Sequence, residues 1–206
     1  GMVEYLDFEG DPEICETGSR GHALLVRGID DSLEIKRPVQ DDFTISVAFR
    51  PDADGPGSGE PRWFLGSGLV DGEISGIVDD FGLSWFKGGR VTAGVGRPET
   101  FLTLPPGLNL GQWHHAALTR HRETGTIQLW VDGELVDEKK GGTQSLSSPE
   151  ILTIGRMHPG GNPFQGAIDE VRIYDRVLSP HEILSLQDSP GFGSHARSLV
   201  RENLGD

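Results

Sequence analysis

Apolar and polar residues alternate over several short stretches of the chain, which is the pattern of strands with one buried face. The clearest case is 43–49, where apolar residues at the odd positions alternate with small or polar ones. The segment 126–131 repeats the pattern with apolar residues at 127, 129 and 131. Further strands are predicted at 62–65, 83–86, 91–95, 151–154 and 167–174.

Turn and capping residues separate these strands. Gly88-Gly89 and Asp132-Gly133 each lie between two strand segments and predict hairpins, because tight hairpin turns need positive φ. One helix start is present, with Ser179 as N-cap, Pro180 at the first helical position and Glu182 completing a capping box. The pattern therefore predicts an all-β fold followed by a short C-terminal helix.

Composition agrees with many strands in one domain. The 206 residues include 30 glycines and 13 prolines, which are dispersed between apolar runs as in sandwiches and barrels. We expect one domain over residues 2–187 and a polar C-terminal tail over 188–206. Loops near 52–61, 68–80 and 155–166 are the predicted contact surface, since binding residues concentrate on loops.

Charge and cysteine content exclude several classes of function. The net charge is −14, and no basic stripe suited to a nucleic-acid backbone is visible. Cys15 is the only cysteine, which rules out an internal disulfide and a cysteine-based zinc site. No apolar run reaches the ~18–20 residues of a membrane span.

The N-terminal residues lack the charged and apolar regions of a signal peptide. Gly1 before Met2 is typical of a cleaved purification tag. Met2 as the native start predicts a cytoplasmic protein, whereas a leader removed upstream would predict secretion.

Four segments in order resemble the laminin-G-like jelly rolls of the concanavalin A-like lectin/glucanase superfamily. Residues 24–35 resemble F-x-G-x-D-D-Y-V, and QWHHAA at 112–117 resembles W-H-H-V-A. LWVDGELV at 129–136 is similar to L-Y-V-D-G-x-L-V, and 164–179 resembles F-x-G-x-I-D-E-V-R-I-Y-x-R-A-L-S. The resemblance implies a two-sheet antiparallel jelly-roll sandwich whose first and last strands are adjacent.

The same resemblance implies a non-catalytic binding or adhesion module for a glycan or protein ligand, in an extracellular or cell-surface setting. A divergent polysaccharide-acting glycoside hydrolase is the alternative, and a purely structural domain of a larger surface protein is a third. Fold alone does not choose among them.

A structural calcium ion is the predicted cofactor. Strand parity places Asp169 on the same side as Val171 and Ile173, where a carboxylate must be paired, hydrogen-bonded or coordinated. Because the terminal strands are expected to be adjacent, Glu9 is a second candidate ligand, and Asp31 is a third by resemblance. Oxygen ligands of this kind suit calcium; the competing interpretation is that these acids cap loop amides, pair with a basic neighbour or are solvated.

The residues of the chain offer little support for the catalytic groups of a hydrolase. Glu9-Gly10-Asp11-Pro12-Glu13 has the spacing of a glucanase motif, but glycine and proline do not suit a central strand. His114 and His115 are neighbours on a strand, so they point to opposite faces and cannot bind one metal together.

Two tryptophans are candidate ligand-stacking residues. Trp130 alternates opposite the apolar residues of its strand and is expected to face outward, and Trp85 is a similar candidate. An exposed indole could stack on a sugar ring, while the alternative is that both are covered by a neighbouring sheet or loop.

Overall fold

The structure is a computed structural model that describes residues 1–6, 15–17, 22–76, 79–158 and 160–187. In this part of the chain the strands are β1 (Met2–Leu6), β2 (Cys15–Thr17), β3 (His22–Val26), β4 (Leu33–Lys36), β5 (Phe43–Pro51), β6 (Ser67–Asp71), β7 (Phe81–Phe86), β8 (Arg90–Val95), β9 (Thr100–Thr103), β10 (His114–His121), β11 (Thr126–Val131), β12 (Glu134–Lys140), β13 (Ile151–Ile154) and β14 (Gly166–Tyr174). The helix is α1 (Pro180–Ser185), and 3₁₀ turns cover Ile29–Asp31 and Trp63–Leu65. The predicted tail, 188–206, lies outside the described residues.

The strands form two antiparallel sheets. Sheet A has the order β12-β11-β10-β5-β14-β3-β2, and β1 also pairs with β14. Sheet B has the order β4-β13-β6-β7-β8-β9. The first strand therefore lies against the last one, and the predicted jelly-roll sandwich is confirmed.

The core lies between the inner faces of the two sheets. Phe43, Ile45, Val47 and Phe49 of β5 are all buried in it, which confirms the alternation read from the sequence. Burying a large apolar side chain contributes roughly 1.5–3 kcal/mol, so these four positions alone hold the centre of sheet A firmly against sheet B.

Side chains close one open side of the sandwich. Asp137 on β12 accepts a hydrogen bond from the backbone N–H of Thr103 on β9 at 3.1 Å. Lys139, two residues further on, donates to the carbonyl oxygen of Phe101. The edge of sheet A is thereby joined to the edge of sheet B, and exposed edge groups that could pair with another chain are occupied.

The predicted turns and helix cap are confirmed. Gly88 and Gly89 have φ of 83° and 66°. Asp132 and Gly133 have φ of 48° and 85°. At α1 the Ser179 hydroxyl accepts from the Glu182 amide, and the Glu182 side chain accepts from the Ser179 amide.

Two predicted segment boundaries are wrong. Residues 62–65 were expected to form a strand, but Trp63–Leu65 is a 3₁₀ turn that packs across the outer face of sheet B. The predicted loop 68–80 begins later, because Gly68 to Asp71 pair with β7 as part of β6. Tertiary packing, rather than local alternation, decides both segments.

The parity predicted for Asp169 is also wrong. In β14, Asp169 pairs with Ala48, whereas Ile168 pairs with Phe49 on the core side. The register then shifts between Asp169 and Arg172, and Glu170 adopts a φ of 53°. A bulge inserts an extra residue and reverses the alternation, so Asp169 lies on the outer face of sheet A rather than with Val171.

Candidate functional site

Trp85 lies in the core between the sheets. It is 1% exposed, its ring centroid is 5.8 Å from that of Phe49, and its indole N–H donates to the carbonyl of Ala53 at 3.0 Å. Its ring therefore has no open face for a ligand.

Trp130 faces away from that core, as its position in the strand predicts. It belongs to a second apolar cluster with Ala117 of β10 and with Leu178 and Ile183 around α1. Only 6% of the residue is exposed. The C-terminal helix thus covers the outward tryptophan, which is the alternative that the sequence left open.

Asp169 is buried on the outer face of sheet A. It is 1% exposed, and one of its oxygens accepts a hydrogen bond from the backbone N–H of Glu170 at 2.7 Å. This bond stabilises the positive φ of Glu170 in the bulge, because Asp side chains commonly satisfy backbone groups of this kind. Asp169 therefore helps to hold the bulge of β14 in place.

Asp31 also binds loop amides. Its Oδ2 accepts from Arg27 at 2.9 Å and from Gly28 at 3.0 Å. Glu9, the third predicted calcium ligand, lies outside the described residues, as does the motif Glu9 to Glu13. Among the residues the structure does describe, no group of three or more His, Cys, Asp or Glu side chains converges as a metal site.

The structure brings together a serine and a histidine that the sequence did not pair. Ser46 Oγ lies 2.7 Å from Nε2 of His115 across β5 and β10. Both residues are buried, and burial lowers the pKa of His115 to about 4. A neutral histidine and a serine with no route to solvent make a packing contact rather than a reactive nucleophile.

His114 points to the opposite side of the strand, as expected for its position. Its Nδ1 lies 2.9 Å from Asp132 Oδ2, and its ring packs against Phe49. The other oxygen of Asp132 accepts from the backbone N–H of His115 at 2.8 Å. The histidine pair therefore anchors the β11–β12 turn.

A buried acid joins two loops on sheet B. Asp71 is fully buried, and its Oδ2 accepts the amides of Glu73 at 3.1 Å and His158 at 2.8 Å. Burial raises the pKa of Asp71 well above its ordinary value and raises the pKa of nearby Asp80 to about 6. Burial thus shifts both carboxyl groups toward the protonated form, and Asp71 holds the backbone of both loops in place.

The best exposed candidate is a set of apolar and cationic side chains on the outer face of sheet B, here called the Arg62 patch. It consists of Arg62, Phe64, Leu65 and Phe101. The rings of Phe64 and Phe101 meet edge-on with centroids 5.9 Å apart. The Arg62 guanidinium lies 5.7 Å from the centroid of Phe101, and Leu65 is 39% exposed.

The Arg62 patch is positioned by Trp63. A Cβ atom built on Gly82 or Gly94 would approach the Trp63 ring closer than 3.0 Å, so the indole lies directly on the backbone of β7 and β8. Trp63 is 1% exposed. Its neighbours Arg62 and Phe64 are consequently held at the surface on a rigid base.

The Arg62 patch differs electrostatically from the rest of the chain. The net charge is −14, yet among the described residues no carboxylate forms an ion pair with Arg62 within 4.0 Å. A guanidinium over an aromatic ring keeps its donors free for a ligand. The patch can therefore supply both an apolar stacking surface and hydrogen-bond donors.

Sequence reasoning missed this patch because it read residues 62–65 as a strand. The available signal was the pair Gly82 and Gly94, whose equivalent positions on neighbouring strands leave space for an aromatic ring. A lone glycine in a strand indicates close approach of another group. Which aromatic residue takes the space depends on tertiary packing.

No helix in the described part of the chain is long and apolar enough to cross a membrane. The fold places the chain among the jelly-roll sandwich domains. A family model described as "Concanavalin A-like lectin/glucanases superfamily" matches residues 28–184. The chain belongs to this superfamily.

Sequence relatives share part of their length with the chain. A rat protein, "Sushi, von Willebrand factor type A, EGF and pentraxin domain-containing protein 1", is 32% identical over 107 residues, covering 43% of the chain and 3% of that protein. "Neuronal pentraxin-2" of Cavia porcellus is 28% identical over 154 residues, covering 70% of the chain and 33% of the pentraxin. The chain thus spans a third or less of these curated relatives.

Solved structures share the fold at low identity. The CBM40 of a Ruminococcus gnavus IT-sialidase, bound to alpha2,3 sialyllactose, superposes with a TM-score of 0.63 at 16% identity, covering 91% of this chain and 99% of that one. Domain 4 of AbnA, a GH43 extracellular arabinanase from Geobacillus stearothermophilus in complex with arabinotriose, gives 0.62 at 15% identity, covering 91% and 98%.

Proposed function

We propose that this domain is a non-catalytic module that binds a glycan at the Arg62 patch. The observation that carries the proposal is the pair of partly exposed rings, Phe64 and Phe101, with the Arg62 guanidinium over one of them. Aromatic rings provide apolar area for the C–H faces of a sugar. Arginine supplies directed donors to its hydroxyl oxygens.

The setting of the patch supports recognition by a preformed surface. Trp63 and the two strands beneath it are packed, so binding requires little ordering of the protein, and preorganisation of this kind improves affinity. Two similar folds are named as complexes with sialyllactose and arabinotriose. Their likeness supports a binding role for such a scaffold, while the ligand of this chain is our proposal.

Two further features of the proposal derive from resemblance. An extracellular location is supported by the extracellular arabinanase among the similar folds. A structural calcium ion held by Asp169, Asp31 and Glu9 stays a prediction. In the structure Asp31 and Asp169 each accept a hydrogen bond from a backbone amide.

Glycan-array screening followed by calorimetric titration tests the function. We expect binding to one class of oligosaccharide, weakened about threefold to tenfold by Phe101→Ala, since an aromatic contact is worth roughly 0.5–1.5 kcal/mol. Leu135→Ala is the matched control, because Leu135 is 43% exposed on a strand of sheet A.

Equal affinities of Phe101→Ala and Leu135→Ala for the oligosaccharide would place the ligand outside the Arg62 patch. The absence of binding to any glycan would refute the proposal. The alternative function, glycoside hydrolysis, predicts release of reducing ends from the bound oligosaccharide. We expect none, and product formation would overturn the non-catalytic assignment.

A further inference from the structure

Two cationic side chains converge on one aromatic residue of the Arg62 patch. The Arg62 guanidinium lies over the ring of Phe101, 5.7 Å from its centroid. The Lys139 ammonium donates to the carbonyl oxygen of the same residue from the neighbouring sheet. Lys139 reaches it because β12 and β9 form the closed side of the sandwich.

The direction of the lysine is determined by register. Lys139 pairs with Ile127, a core residue of β11, whereas Lys140 pairs with Thr126. Adjacent strand residues point to opposite faces. Lys139 is therefore directed toward sheet B and Phe101, and Lys140, whose ammonium contacts the Thr126 hydroxyl, is directed away.

The positive charges at Phe101 are only partly neutralised. Among the residues that the structure describes, one carboxylate forms an ion pair with Lys139, that of Asp137 at 3.5 Å. For Arg62 no ion pair is formed with any other described residue. Arg62 is exposed, and the side chain of Lys139 is 47% exposed. The Arg62 guanidinium is thus open to a ligand at the ring of Phe101, and the Lys139 ammonium lies beside the main-chain carbonyl of the same residue.

We propose that the Arg62 patch is selective for acidic glycans, with Arg62 and Lys139 binding a carboxylate or sulfate group while the sugar ring stacks at Phe101. This inference rests on the proposed glycan-binding function and specifies its ligand class. Charge-assisted hydrogen bonds from guanidinium and ammonium are stronger than those between neutral groups. The net charge of −14 repels anions elsewhere on the surface, so discrimination must come from this local cluster.

The test compares acidic glycans with a neutral one. Tetragalacturonate and its methyl ester share the same sugar rings, and a sulfated galactose tetrasaccharide separates sulfate from carboxylate as the anionic group. We expect the wild-type domain to bind at least one acidic form about threefold to tenfold more tightly than the neutral ester, as a partly exposed charge pair allows.

Two substitutions should remove this preference and a third should not. Arg62→Gln and Lys139→Gln are expected to bring the acidic and neutral ligands to nearly equal affinity. Lys140→Gln removes the same charge one residue away, on the other face of β12, and is expected to retain the full preference. Far-ultraviolet circular dichroism and melting temperature check that all three variants remain folded.

The outcomes separate this inference from the proposed function. If neutral and acidic glycans bind with equal affinity and Phe101→Ala weakens the binding of both, the proposed function stands and the acidic selectivity is overturned. If Lys140→Gln and Arg62→Gln lose the acidic preference equally, the preference results from the overall charge of the domain, and the proposed role of Arg62 and Lys139 is overturned. No binding of any tetrasaccharide or array glycan would overturn both.

Discussion

Gly94→Ala is the most direct test of how the Arg62 patch is built. The Cβ atom of alanine would approach Cδ1 and Nε1 of Trp63 closer than 3.0 Å, a separation that real Cβ atoms do not adopt. Gly94 lies within β8 between packed strands, so the strand cannot retreat. The Trp63 indole must move away from the sheet instead.

The cost of that movement can be bounded. Overpacking a rigid site costs typically about 1–3 kcal/mol, and complete loss of a buried tryptophan costs about 3–5 kcal/mol. Trp63 is 1% exposed, so partial expulsion exposes a large apolar area. We therefore expect Gly94→Ala to lower the free energy of unfolding by about 2–4 kcal/mol, with the domain still folded.

Urea denaturation followed by tryptophan fluorescence measures this change. Gly161→Ala is the matched control, because a Cβ at Gly161 meets no atom within 4 Å, and its effect should stay within about 0.5 kcal/mol. The Arg62 patch should also bind its glycan more weakly in Gly94→Ala, since Arg62 and Phe64 are carried by Trp63.

A double-mutant cycle with Trp63→Ala tests the mechanism itself. If the indole is the clashing group, Gly94→Ala should cost less than about 1 kcal/mol once the ring is removed, a coupling of more than about 1 kcal/mol between the two sites. If Gly94→Ala lowers the free energy of unfolding by the same amount with and without the Trp63 ring, the reasoning is refuted. It is also refuted if Gly94→Ala leaves the free energy of unfolding unchanged.

Three further predictions concern acids, the helix cap and calcium. Burial raises the pKa of Asp80 from 3.8 to about 6, so its stabilising contribution is present below about pH 4 and lost as the pH rises through about 6. In Asp80→Asn the free energy of unfolding in urea should depend less on pH between pH 4 and 7, by on the order of 1–2 kcal/mol. A pH dependence identical to that of the wild type would contradict the buried-acid interpretation. Ser179→Ala should cost about 1 kcal/mol by removing the N-cap of α1, measured as a lower melting temperature; an unaltered melting temperature would show that the cap contributes nothing. The predicted calcium site requires that calcium raise the melting temperature relative to EGTA, and identical melting curves would eliminate it.

Local chemistry in the sequence determined most of the architecture. Alternation at 43–49 specified which side chains of β5 enter the core, and Asp132-Gly133 specified a hairpin because few residue pairs tolerate positive φ twice in succession. The Ser179–Glu182 box specified the start of α1. Each of these depends on residues within one strand or turn.

Tertiary structure alone decided the candidate site. The bulge at Glu170 reversed the side on which Asp169 lies, and α1 covered Trp130; neither event has a signal in its own strand. The Arg62 patch unites a 3₁₀ turn with β9, and Lys139 joins it from the other sheet. Contacts between segments distant in sequence depend on how layers pack together, and periodicity along one strand carries no information about them.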